Sequence, residues 1–116
     1  KVKEEYPDIP ITMHAVGAMH ILPEWEQLPL DVIGLDWRTP IPMATHMGIT
    51  KAVQGNLDPA YLFADWDILR FKIDRILEEG ATYGRHIFNL GHGVLPEVNP
   101  DVLKRVVEYV HERTNK

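Results

Sequence analysis

Three short segments hold the residue types best suited to chemistry. The first reads Phe88-Asn89-Leu90-Gly91-His92-Gly93-Val94-Leu95-Pro96. An apolar run ends there in a histidine held between Gly91 and Gly93. Glycine permits close backbone approach. A histidine at the end of a strand can donate a hydrogen bond to an anion or act as an acid. Used structurally, the same loop is a turn whose histidine caps the strand. The second segment reads Ala52-Val53-Gln54-Gly55-Asn56-Leu57-Asp58-Pro59. The side-chain amides of Gln54 and Asn56 suit a polar ligand, but turns use the same residues for structure. Gly55 marks a place where a ligand or a neighbouring backbone comes close. Asp58-Pro59 is suited to cap a helical turn. The third segment is Gly34-Leu35-Asp36-Trp37-Arg38. Its acid is either catalytic or structural. The structural role is preferred, in partnership with Arg38 or another arginine, and Trp37 is read as packing.

Other chemistries are excluded by composition. The 116 residues include no Cys and no Ser, which removes thiolate and serine nucleophiles, disulfides and Cys-rich zinc sites. Neither Gly-x-Gly-x-x-Gly nor Gly-x-x-x-x-Gly-Lys occurs, and no His-Glu-x-x-His. His14 and His20 are too far apart to ligate a metal from one helical face. His46, His86 and His111 read as surface or strand-end residues. A metal site is therefore not expected. The net charge of −5 gives no basic footprint for nucleic acid or an anionic membrane. No apolar run approaches the ~20 residues of a membrane span. Apolar residues make up 45% of the chain and charged residues 25%, as in an ordinary globular domain. The length fits one domain.

The elements that must position the three segments follow from periodicity. Strands are expected over Ile11–Val16, Asp31–Asp36, Lys51–Gly55 and His86–Leu90. Their near-continuous apolar character suits parallel strands covered on both faces. A helix is expected after Asp65 as N-cap, with Trp66, Leu69, Ile73, Ile76 and Leu77 on one face and Gly80 as C-cap. The last helix begins with Asn99 as N-cap and Pro100 at its first position. Val102, Leu103, Val106, Val107 and Val110 form its apolar stripe, with Lys104, Arg105, Glu108 and Glu112 facing away. Weaker helical patterns run from Pro23 to Leu28 around Trp25, and from Pro40 to Met47 with Pro42 as an interruption.

Strands alternating with helices define an α/β fold built of βαβ units. Four units make a small open sheet or half of an eight-stranded barrel. Two features favour the barrel: the loops after the strands are polar and Gly-rich, as barrel sites are, and the apolar strand edges lack protection. Phosphate is an alternative ligand for the Gln54–Asn56 loop, because barrels bind phosphate in loops after their last strands.

In order and spacing, Gly34–Arg38, Val53–Pro59 and Ile87–Pro96 resemble the uroporphyrinogen decarboxylase family. The resemblance covers essentially the whole chain and matches roughly the last third of that enzyme. It implies a TIM (β/α)8 barrel, of which residues 1–116 form about four C-terminal βα units of a single domain whose N-terminal part is missing. It further implies decarboxylation of the four acetate side chains of uroporphyrinogen III to coproporphyrinogen III in haem and porphyrin biosynthesis. The implied enzyme is a cytoplasmic homodimer that uses neither metal nor organic cofactor. His92 is then the substrate-binding histidine, with Gly91, Gly93, Gln54 and Asn56 as possible loop contacts. The family's arginines, its aspartate facing the pyrrole nitrogens, its tyrosine and its serine match nothing here, so the isolated segment is expected to be inactive. The chain starts in a charged stretch without Met, as though cut from a longer polypeptide, and Arg113-Thr114-Asn115-Lys116 resembles a natural C-terminus. The alternative is a self-associating half-barrel that binds a phosphate- or carboxylate-bearing ligand through the Gly55 and Gly93 loops.

Overall fold

The computed structural model describes residues 2–114. The expectation placed on the ending at Asn115 and Lys116 lies outside them. A helical turn α1 (Val2–Glu5) precedes β1 (Thr12–His14), and a 3-10 turn at Met19–Ile21 leads into α2 (Leu22–Glu26). Then follow β2 (Val32–Gly34), α3 (Ile41–His46) and β3 (Ala52–Gln54). A second 3-10 turn at Pro59–Phe63 precedes α4 (Trp66–Tyr83), β4 (His86–Ile87) and α5 (Pro100–Thr114). The four strands are parallel and lie in the sheet in chain order, β1-β2-β3-β4. The expected α/β class is therefore found.

All four strands are shorter than the apolar runs suggested. The ladder ends at His14 because the chain turns away at Gly17, which has φ +75° and gives its N–H to the Asp36 carboxylate at 2.6 Å. Past Gln54 and Ile87 the pairing survives only as a single bridge between Leu57 and Leu90.

Register decides what each side of the sheet faces. Met13, Ile33, Val53 and His86 stand in one row. That row points at the helices, and Ile33 and Val53 are fully buried. His14, Gly34, Gln54 and Ile87 stand in the next row and point the other way, since successive side chains alternate. His14 and Ile87 are exposed there, as is Thr12 one step back.

The helix side carries two apolar clusters. Leu22, Trp25, Ile33, Leu35, Ile41, Ala44, Ile49 and Val53 join α2 and α3 to β2 and β3. Leu57, Leu62, Leu69, Ile73, Val98, Val106 and Val110 join α4 and α5 to the end of the sheet. Glu26 ties the first cluster down: its carboxylate accepts from the Thr50 hydroxyl at 2.5 Å and from the Thr50 N–H at 3.1 Å. Partial desolvation would raise this carboxyl, but the Thr50 bonds, the Lys51 N–H and the Lys51 charge together hold it below its ordinary range.

Four local expectations are corrected. Gly80 does not cap α4, which continues to Tyr83 and ends at Gly84 with φ +92°. A Cβ on Gly80 would lie 2.1 Å from Nδ1 of His86, so this glycine lets β4 approach the helix. Asp65 stands at the N-cap but makes no side-chain capping bond. Val107 is 52% exposed, so the stripe of α5 is narrower than its sequence implied. Pro42 does not interrupt α3; it lies in the first helical turn, where a missing N–H costs nothing. Asn99 does accept from the Asp101 N–H at 2.9 Å, and Asp58 from the Ala60 N–H at 2.9 Å, as expected of caps.

Candidate active site

The strand ends and the loops beyond them enclose an open cleft of about 310 Å³. Its walls are His14, Gln54, Asn89, Leu90, His92, Gly93 and Val94. Three of the residues singled out in the sequence, His92, Gln54 and Gly93, are thus brought together. The chain holds 17 acidic residues and carries −5 overall, yet among the described residues no carboxylate lines this cleft. Two imidazoles and two amides do. Such a lining accepts an anion without like-charge repulsion.

His92 is held on two sides. Its Nδ1 lies 2.8 Å from the Gly93 carbonyl. A carbonyl only accepts, so Nδ1 carries the hydrogen. Nε2 is then a bare acceptor when the ring is neutral and a donor when it is protonated. The edge of the ring meets Trp37, with centroids 4.7 Å apart and planes at 69°. The Arg38 guanidinium sits 4.9 Å from the centre of the Trp37 ring. Trp37 therefore packs, as expected, and what it packs against is the histidine.

Gly91 and Asn56 serve the frame instead of the cleft. A Cβ on Gly91 would lie 2.5 Å from the Trp37 backbone nitrogen and 2.8 Å from the Trp37 Cβ, so only glycine lets this loop close on Trp37. Asn56 is 6% exposed, and its Nδ2 donates to the Asp36 carbonyl at 2.8 Å and to the Thr39 carbonyl. Its amide nitrogen is spent on the β2 loop. Gly55, with φ +134°, would place a Cβ 2.6 Å from the Leu35 carbonyl oxygen, so a neighbouring backbone is what comes close there. Gly93 differs: nothing lies within 4 Å of its Cβ position, and the space opens to the cleft.

Asp36 takes the structural role. It is 3% exposed and accepts from Gly17 N–H at 2.6 Å, Arg38 N–H at 3.1 Å and the Thr39 hydroxyl at 3.0 Å. The partner on Arg38 is its backbone, not its guanidinium. One buried carboxylate thus fixes the loops after β1 and β2 together.

Sequence reasoning missed His14, and it quoted Asn89 in a motif without placing it in the site. Asn89 Oδ1 accepts from the Leu90 N–H at 2.8 Å, which shapes the loop ahead of His92. The signal for His14 was the strand end itself: it closes β1 as Gln54 closes β3. Among the described residues, no three His, Asp or Glu side chains converge as a metal site requires. No helix among them is long and apolar enough to cross a membrane.

The family model for uroporphyrinogen decarboxylase matches residues 1–113. The chain belongs to the uroporphyrinogen decarboxylase family. Among curated relatives named uroporphyrinogen decarboxylase, that of Staphylococcus haemolyticus (strain JCSC1435) is 55% identical over 115 residues, covering 99% of this chain and 33% of the relative. That of Staphylococcus carnosus (strain TM300) is 52% identical over 109 residues, covering 94% of this chain and 32% of the relative. That of Staphylococcus aureus (strain Newman) is 50% identical over 116 residues, covering 100% of this chain and 33% of the relative. The chain thus spans about a third of the length of the uroporphyrinogen decarboxylases it matches.

Proposed function

We propose that this chain supplies about four C-terminal βα units of a (β/α)8-barrel uroporphyrinogen decarboxylase, with the N-terminal units contributed by a segment outside it. The complete enzyme removes carbon dioxide from the four acetate side chains of uroporphyrinogen III and yields coproporphyrinogen III, as a homodimer in the cytoplasm. The carrying observation is the cleft at the carboxyl ends of the strands, where His92 stands among amides and no described carboxylate forms part of the lining. Barrel enzymes build their sites at that end. The unreversed strand order supports an arc of a barrel, because an open doubly wound sheet reverses at a switch point. The open sheet face, with Thr12, His14 and Ile87 exposed, supports closure by further strands, since a barrel interior is filled with side chains.

His92 binds a substrate carboxylate. With Nδ1 committed to Gly93, it is Nε2 of the protonated ring that donates to the carboxylate. Gln54 and Gly93 border the same anion; Gly91 and Asn56 hold the loops that present it. The substrate carries eight carboxylates, which demand several cationic partners. Among the described residues no Arg or Lys lines the cleft, and Arg38 touches its border through Trp37. The isolated chain is therefore inactive.

The test assays uroporphyrinogen III decarboxylation by the full-length protein and by the purified 116-residue chain. Turnover by the full-length protein alone is expected. Turnover by the isolated chain would overturn the shared-site reading. A stable, inactive dimer of the short chain as the native gene product would favour a self-paired half-barrel.

A further inference from the structure

We propose that His14 is a second imidazole contact for the substrate's carboxylates, a positioning residue that works beside His92. The substrate class rests on the decarboxylase reading above; the placement of His14 does not. His14 is the last residue of β1, and its side chain is exposed on the open face of the sheet. Register puts it in the row of Gln54, two strands away, and both line the cleft that holds His92. Its path into the cleft is set by Gly34 on the intervening strand. A Cβ on Gly34 would lie 2.7 Å from the His14 Cβ and 2.9 Å from its Nδ1, so the imidazole lies flat over a position where no side chain fits. Any residue but glycine at position 34 would lift the ring away.

This placement gives the cleft imidazoles on both walls, one from the first strand and one from the loop after the fourth. An extended polyanion is then gripped at two points instead of one. Imidazole hydrogen bonds to a carboxylate are charge-assisted when the ring is protonated, and stronger than neutral ones.

The experiment measures KM and kcat for uroporphyrinogen III in the full-length enzyme carrying His14→Phe, His14→Ala, His14→Gln or Gly34→Ala, with melting temperature read in parallel. His14→Phe keeps the ring and removes its donors, whereas His14→Gln restores an N–H near the same place. His14→Phe and His14→Ala are expected to raise KM about tenfold, the effect of one charge-assisted hydrogen bond, with kcat within about threefold. His14→Gln should return KM to within about threefold of wild type, and Gly34→Ala should raise KM as His14→Ala does. An unchanged KM in His14→Phe and His14→Ala would overturn the inference. Equal losses in His14→Phe and His14→Gln would also overturn it, by assigning His14 a role in shape alone. A wild-type protein unable to decarboxylate uroporphyrinogen III would instead overturn the decarboxylase reading, and the substrate assigned to His14 with it.

Discussion

The two faces of one small sheet carry opposite duties. Met13, Ile33, Val53 and His86 look toward the helices and are packed until Ile33 and Val53 expose nothing. His14, Gly34, Gln54 and Ile87, each one residue further along, look the other way: His14 and Ile87 are exposed, Gln54 is half-buried, Gly34 lies covered beneath His14, and His14 and Gln54 line the cleft. A shift of one residue in a strand separates a position that holds the fold from one that meets a ligand. Substitutions on the first face should therefore cost stability, and substitutions of the cleft residues His14 and Gln54 on the second should cost substrate binding or turnover at unchanged stability.

The largest effect is expected from Val53→Asp, which buries an unpaired charge among Ile33, Leu35 and Ile49. It should lower unfolding free energy by about 4 kcal/mol, read from denaturant midpoints of the full-length enzyme. Val106→Asp, in the α4–α5 cluster, should act in the same range and would test the facing of α5. A harmless Val53→Asp would dissolve the contrast between faces, and a harmless Val106→Asp would show that α5 presents a different side to its cluster. Asp36→Ala comes next. It frees Gly17 N–H, Arg38 N–H and the Thr39 hydroxyl at once and should cost about 2–3 kcal/mol in the same assay, with loss of turnover following from the displaced loops.

His92→Asn sharpens the comparison from the open face. Turnover should fall at least about tenfold, the value of one charge-assisted bond, while the melting temperature stays within about 2 °C. A wild-type rate would return His92 to a purely structural place against Trp37. The smallest effect belongs to Glu26→Gln. The native state holds the Glu26 carboxyl below its ordinary 4.5, so its contribution is present above that pH and fades as pH falls through the depressed value. Wild type should exceed the variant by less than about 1 kcal/mol at pH 7, because Glu26 is largely solvated, and the gap should close toward pH 3. A gap that widens in acid would show the wrong sign and remove Glu26 from the account.

The fold was legible where local chemistry repeats. Val32-Ile33, Ala52-Val53 and the period of α4 declare their elements without help from the rest of the chain. The errors arose where a distant residue decides. Gly80 and Gly84 are equally good helix stops in sequence; Gly84 takes the stop, and Gly80 is where the His86 ring packs on the helix. Asn56 has the composition of a ligand contact, but its amide meets carbonyls 17 and 20 residues earlier in the chain. His92 announced itself through its flanking glycines. His14 did not, because its tie to Gln54 runs through the register of three strands, and register is a tertiary fact.

The unreversed strand order also has a bearing on how such a chain is made. Thr12 pairs with Val32 and Val32 with Ala52, each step 20 residues, and Val53 then pairs with His86 33 residues on. Among the four described strands, each after β1 pairs with the strand made immediately before it. Contacts of short sequence span close quickly, and chains emerge N-terminus first. A ribosome feeding out this sequence releases it in the order in which the sheet is laid down, each new strand meeting an edge that its predecessor has just completed.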